Sequence, residues 1–266
     1  MAASFLVLDV GNTSVGVGYG EGPRLARSFY ITSDAARTPD EYGVLLAGLL
    51  ERAGVEVRRP LPSLVCSVVP ALDEIFASAL TSYFGAAPAF VGPDYAALGV
   101  DVRYDNPAEV GPDRVVNALA ARELYGAPAI VVDFGTATTF DVVNGAGAYV
   151  GGVIAPGVAL SARTLFARTA RLGAVAFTLP PRVVGRNTDE ALRTGIVLGA
   201  ARAADGIVAA IRAEQGEVGA LVATGGLAAV VAPVMDSGPV LDAELTLKGL
   251  VLAFERLGRG GTGNER

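Results

Sequence analysis

Residues 130–143 read I-V-V-D-F-G-T-A-T-T-F-D-V-V, and residues 6–18 read L-V-L-D-V-G-N-T-S-V-G-V-G. In each stretch an apolar run ends in Asp-x-Gly, short hydroxyl or amide side chains follow, and the apolar pattern resumes within a few residues. That return is too quick for the helix that a dinucleotide-binding turn requires, so each stretch predicts a β-hairpin whose turn carries Asp, Gly and hydroxyls. A third strand is expected after each hairpin, near residues 27–32 and 149–155.

Outward from the hairpins, the two halves repeat one order of elements. Thr38-Pro39-Asp40-Glu41 combines an N-cap, a proline at the first helical position and a capping-box Glu, and predicts a helix ending at Gly54. L-V-C-S-V-V-P reads as a buried strand stopped by Pro70, with a helix over 71–84 and short strands near 89–91 and 100–104. In the second half the pattern predicts a helix over 158–170 and a long helix capped by Thr188 and running to about 214. A strand over 218–223, Thr-Gly-Gly, a short helix and a last helix over 244–257 complete it. Strands followed by alternating strand and helix, twice over, predict an α/β protein of two similar domains with mixed sheets. The expected bounds are 1–112 and 113–257, with a disordered tail over 258–266.

Composition removes whole classes of chemistry. The chain has no histidine, which excludes Ser-His-Asp and Cys-His nucleophiles, His general bases and H-E-x-x-H zinc sites. Lys248 is the only lysine among 21 basic residues and lies outside any Gly-rich loop, which excludes a P-loop. A net charge of −6 argues against a nucleic-acid footprint. The single cysteine, Cys66, reads as a buried small hydrophobe and suits a reducing cytoplasm. No export signal is read at the start of the chain, and no membrane partner is expected. The uncharged stretches 142–162 and 218–235 approach the length of a membrane span, but Gly, Pro, Asn and Thr interrupt them, so they read as buried strands and turns.

Where a strand ends at Asp-x-Gly, glycine allows a close backbone approach, and the Thr or Asn that follows offers donors, so the turn can cradle phosphate without lysine. An Asp there cannot face phosphate unscreened and implies a cation, as in magnesium–nucleotide sites. One such turn is ordinary; two matching turns predict a pair closing on one polyphosphate, as in actin, hexokinase and Hsp70. L-V-A-T-G-G-L at 221–227 adds a strand running into Thr-Gly-Gly, where Gly225 and Gly226 leave room for a base or phosphate. Glu109-Val110-Gly111-Pro112-Asp113-Arg114 opens a further helix. An Asp there can take a proton from a substrate hydroxyl while the Arg holds an anionic group, the division of labour that phosphoryl transfer to an alcohol requires.

D-V-G-N-T (9–13), S-V-V-P (67–70), E-V-G-P-D-R-V-V-N-A (109–118), D-F-G-T-A-T-T-F-D (133–141), Y-V-G-G-V-I-A-P-G (149–157), G-R-N-T (185–188), A-T-G-G-L-A (223–228) and L-T-L-K-G-L (245–250), in this order and spacing, resemble type III pantothenate kinase. The resemblance spans nearly the whole chain. It implies two similar actin-like (ribonuclease H-like) domains, each with a mixed five-stranded sheet flanked by helices. It also implies transfer of the ATP γ-phosphate to pantothenate, the first step of coenzyme A synthesis, with Mg2+ and a monovalent cation, K+ or NH4+, in a homodimer. By matching position, Asp9, Val10, Gly11, Asn12, Thr13, Ser14, Val15 and Gly16 would form the first nucleotide loop, with Asp9 near Mg2+, directly or through water. Thr136 would bind ATP, and Asp133 the monovalent cation. Asp113 would be the general base, and Tyr104, Gly111, Pro112, Asp113, Arg114 and Thr188 would contact pantothenate. Pro112 stands where the family usually has Ala, and is expected to stiffen the turn without loss of activity. Two other readings stay open: a non-catalytic accessory or regulatory relative, and an actin-like kinase or phosphatase acting on a sugar, acetate or polyphosphate.

Overall fold

Both hairpins form. In the computed structural model, which describes residues 3–57, 59–168, 173–216 and 219–260, β1 (Ser4–Val10) pairs antiparallel with β2 (Ser14–Glu21), and β6 (Ala129–Phe134) with β7 (Ala137–Val143). The chain divides into two units, Met1–Ala120 with Thr246–Arg266, and Ala121–Leu245.

In the first unit β3 (Arg24–Thr32), α1 (Pro39–Arg52), β4 (Ser63–Ser67), α2 (Pro70–Phe84) and β5 (Ala89–Phe90) follow the hairpin, giving a sheet of order β3-β2-β1-β4-β5. β4 and β5 run parallel to β1. Thr38 caps α1 as expected: Thr38 Oγ1 accepts from the Glu41 amide, and Glu41 reaches back to the Thr38 amide at 2.7 Å. Phe5, Leu6, Val7 and Leu8 of β1 form an unbroken buried apolar run because both faces of the strand are covered. Leu6, Leu8 and Val10 join the core under α1 and α2, with Tyr42, Leu46 and Phe76. Phe5, on the other face, stacks on Phe254 with ring centres 3.9 Å apart.

Phe254 belongs to α8 (Leu245–Gly260), and the glycines of β2 make its seat. A Cβ at Gly16 would lie 3.4 Å from a Leu247 methyl, one at Gly18 would meet Val7 and Leu25 at 2.7 Å, and one at Gly20 would collide with the Phe5 ring. The expected division at 112/113 therefore moves. The start of α3 (Pro112–Tyr125) and nearly all of α8 belong to the first unit, where Thr246 Oγ1 donates to Asn117 Oδ1 at 2.8 Å and Gly249 abuts the Val116 carbonyl.

The second unit repeats the plan. β8 (Tyr149–Pro156), α4 (Val158–Arg168), α5 (Thr188–Arg193), α6 (Gly199–Gln215), β9 (Ala220–Thr224), α7 (Ala228–Val231) and β10 (Val240–Leu241) build a sheet of order β10-β9-β6-β7-β8, with β9 and β10 parallel to β6. Its core joins Ile130, Val132 and Phe134 to Ala201, Ala204 and Val208 of α6.

Several expectations shift. The long helix is capped by Asn187, whose Oδ1 accepts from the Glu190 amide at 2.8 Å, and not by Thr188. A π-helical turn over Thr194–Leu198 interrupts it. The strand expected at 100–104 is reduced to a single bridge at Val102. α8 runs on through Gly260, three residues into the expected tail, and the rest of that tail, 261–266, lies outside the described residues, as do the expected helix end at 169–170 and strand start at 218.

Candidate functional site

Asp9 and Asp133 occupy the same place in their units, one residue before the end of the hairpin's first strand. Asp9 stands opposite Gly16 on β2 and Cys66 on β4; Asp133 stands opposite Thr139 on β7 and Thr224 on β9. A carboxylate at the carboxyl end of a central strand, beside a tight turn, faces the rim where ligands of open α/β sheets bind.

In the first turn the Gly11 amide donates to the Ser14 carbonyl at 3.1 Å, and the Ser33 amide donates to the Thr13 carbonyl at 3.1 Å, tying the turn to the end of β3. Asn12, Thr13 and Ser14 are exposed, whereas Val10 and Val15 are wholly buried. Of the eight loop residues assigned to ATP, those two and the glycines Gly11 and Gly16 can offer only their backbone.

Asp113 is the second residue of α3, behind Pro112, which opens the helix as its fixed φ favours. Its Oδ1 accepts from the Arg114 amide at 2.9 Å, and a Cβ at Gly111 would crowd that oxygen at 2.5 Å, so glycine is what lets the carboxylate turn back over the helix start. Burial pushes the Asp113 carboxyl above its usual range, against the lowering effect of the Arg114 amide and guanidinium. Arg114 is itself buried, 7% exposed. Cys66, read from the sequence as packing alone, lies close to this chemistry. Burial foremost, then the charges of Asp9 and Asp113, drive its thiol well above the usual range, so both acids lie within electrostatic reach of one buried sulfur. Tyr104 sits on the exposed stretch that leads to Gly111.

In the second unit the Thr-Gly-Gly joint lies on the hairpin turn. The Leu227 amide donates to the Phe134 carbonyl at 3.2 Å, Gly225 has φ +92°, and a Cβ on Gly225 would collide with Asp133 Oδ1. Thr136 is exposed, and its carbonyl packs against Gly157, a position that a Cβ would also fill. Gly157, in the quoted A-P-G run, was not among the sequence candidates; its signal was the glycine directly after a strand-ending proline. Gly226 faces open space. Thr188, at the exposed start of α5, lines a cavity of about 1020 Å³ with Asn187, Thr138, Phe134 and Pro156.

Among the described residues no three His, Cys, Asp or Glu side chains cluster as a metal cage. Asp9, a carboxylate at the end of the central strand, is the kind of oxygen ligand that suits magnesium, which keeps several waters and is held by one or two carboxylates together with phosphates. Asp133 Oδ1 and the Phe134 backbone fill the space that a side chain at residue 225 would need, so the Asp133 carboxylate packs directly on the Thr-Gly-Gly joint.

The family model for type III pantothenate kinase matches residues 5–210. The type III pantothenate kinase of Moorella thermoacetica is 41% identical over 94% of this chain and 98% of its own length. That of Thermomicrobium roseum is 44% identical over 96% and 98%. Among solved structures, a ROK family glucokinase from Streptomyces griseus in complex with glucose and AMPPNP is 13% identical, covers 97% of this chain and 100% of its own, and has a TM-score of 0.53, which speaks for the shared fold alone. On the family match and these identities, the chain belongs to the type III pantothenate kinase family.

Proposed function

We propose that this chain transfers the γ-phosphoryl group of ATP to the primary hydroxyl of pantothenate, giving 4'-phosphopantothenate and ADP. The observation that carries the assignment of roles is Asp113: a carboxylate at a helix start, turned back over Gly111 and raised by burial, next to a buried arginine. An aspartate is too weak a base to remove an alkanol proton in the ground state. Asp113 orients the hydroxyl by accepting its hydrogen bond and takes the proton as the oxygen bonds to phosphorus and the bond to ADP breaks; burial brings its basicity nearer to the task. Arg114 is assigned to the pantothenate carboxylate, and Tyr104, Gly111, Pro112 and Thr188 are assigned to the acceptor.

The Asp9–Gly16 loop and Thr136 are assigned to the nucleotide phosphates, with Gly225 and Gly226 giving close backbone approach to the remainder. Asp9 is assigned to Mg2+, directly or through water, and Asp133 to K+ or NH4+. Bound with ATP, the magnesium ion supplies neutralisation of the developing phosphate charge.

We also infer a cytoplasmic homodimer. The segment Thr188–Gln215 is long and apolar enough to cross a membrane by length and composition, yet only 22% of its most apolar window is buried in this chain. A Cβ at Gly195, Gly199 or Gly206 would meet nothing within 4 Å, so packing within the chain does not account for these glycines. Ile154, Leu160 and Leu165 are exposed in the same unit. A second copy covering this face explains all three observations, and the single buried cysteine fits a reducing compartment.

The test is ADP release with ATP, Mg2+ and K+ against a panel of acceptor alcohols. Release that depends on pantothenate supports the assignment. Activity on a sugar without activity on pantothenate, or no activity on any acceptor, overturns it.

A further inference from the structure

One buried polar group near the site has no part in the mechanism above. Tyr95 opens a single 3-10 turn, Tyr95–Leu98, and is 5% exposed. Its hydroxyl donates to the Val110 carbonyl at 2.6 Å, across fifteen residues. Val110 is itself buried and directly precedes Gly111. The Gly111 carbonyl in turn accepts from the Arg114 and Val115 amides at 3.1 and 3.4 Å, which starts the helix that carries Asp113.

The chain between the two ends of this bond is of a different kind. Residues 101 and 103–109 are exposed, and Tyr104 is among them. The bond therefore closes the base of a surface loop whose outer part carries one substrate contact and whose end delivers the base. A second tie holds the near side of the loop: Arg256 of α8 donates to the Leu98 carbonyl at 2.6 Å, and a Cβ at Gly99 (φ +66°) would lie 2.9 Å from that guanidinium. Without the Tyr95 hydroxyl the buried Val110 carbonyl would lose this donor, so the bond fixes the end of the loop directly before Gly111.

We propose that Tyr95 is a positioning residue. By clasping the Val110 carbonyl it holds the loop bearing Tyr104 in register with the helix start bearing Asp113, so that acceptor binding and proton transfer depend on a residue that touches neither reactant. The proximity is also electrostatic: burial foremost, then the charges of Cys66 and Asp113, push the Tyr95 hydroxyl up to about 12, so it stays a neutral donor throughout the working pH range. The proposal rests on the assignment of Asp113 and Tyr104 to the acceptor.

Tyr95→Phe removes the donor and keeps the ring. The expected result is a fall of about tenfold in kcat/KM for pantothenate, with KM for ATP within about twofold of the parent. Amide exchange should quicken across residues 99–111 and stay unchanged in β1 and β4. A residue that merely supports folding would lower the yield of active enzyme and leave both KM values alone. Unchanged kcat/KM for pantothenate, or equal losses for both substrates without local exchange, overturns the proposal. If Tyr95→Phe does not fold, Arg256→Gln loosens the other tie of the same loop and must show the same split between substrates; a variant without that split counts against the clasp. A parent enzyme inactive on pantothenate refutes the function itself, which separates the two failures.

Discussion

Asp133 Oδ1 lies in the space that a side chain on Gly225 would occupy: the two residues meet where parallel strands β6 and β9 end, with Gly225 at φ +92°. The second hairpin and the Thr-Gly-Gly joint, read separately along the chain, are thus one packed feature.

Gly225→Ala forces both a strained backbone and a collision with the carboxylate. The expected cost is on the order of 1–3 kcal/mol of stability. Because Asp133 must move, activation by K+ should weaken more than KM for pantothenate changes. Thermal melts and a potassium titration of the rate check this, and a variant with parental melting and potassium response would show that the joint tolerates a side chain.

Asp113→Asn keeps the shape of the side chain and removes its basicity. The expected fall in kcat is about a hundredfold or more, with nucleotide affinity little changed. Calorimetric titration with a non-hydrolysable ATP analogue and steady-state kinetics measure the two halves of this statement. Near-normal turnover would remove Asp113 from the role of base.

The same variant tests the direction of the Asp113 shift. Burial holds this carboxyl above its ordinary range, so folding favours the protonated form. That stabilisation is fully present below the ordinary aspartate pKa of about 3.9 and is lost as pH rises through the folded value. Asp113→Asn is neutral at every pH and keeps it. The variant should therefore melt above the parent near neutral pH, with the difference shrinking as both are acidified. A lower melting point for the variant at neutral pH would mean that the Arg114 amide and guanidinium outweigh burial.

Gly199→Arg separates a lone chain from a dimer. Within one chain the position is exposed and open, and replacing a helical glycine by arginine favours the helix by about 0.8 kcal/mol. If a second copy covers this face, the charged side chain splits the pair. Sedimentation should show dimers for the parent and monomers for the variant, with activity lost alongside. A parent that sediments as a monomer refutes the dimer assignment.

Much of this was legible in the sequence because it is local. The capping box at Thr38, the proline start of α3 and the two hairpins with Asp one place before the end of the first strand follow from rules that act over a few residues, and the duplication of the hairpin made the paired sheets readable. The family motifs singled out Asp9, Asp113, Asp133 and Thr136 for the same reason: each sits in a short run that needs those residues in that order.

The remainder depended on which distant residues share space. The glycines of β2 look like ordinary strand glycines until α8, more than two hundred residues later, is laid across them with Leu247 and Phe254. Asn187 took the cap expected of Thr188 because both residue types can cap, and only the backbone decides which one is extended: Asn187, at φ −147°, ψ 169°. Cys66 read as packing, and its nearness to Asp9 is set by the register of β1 on β4, which no local pattern encodes. The bond between Tyr95 and Val110 has no sequence signature at all, since a tyrosine states that a donor exists and not which carbonyl will be buried beside it. Local chemistry told which groups this chain has and which turns present them; the packing of strands and helices from distant parts of the chain decided what each group faces.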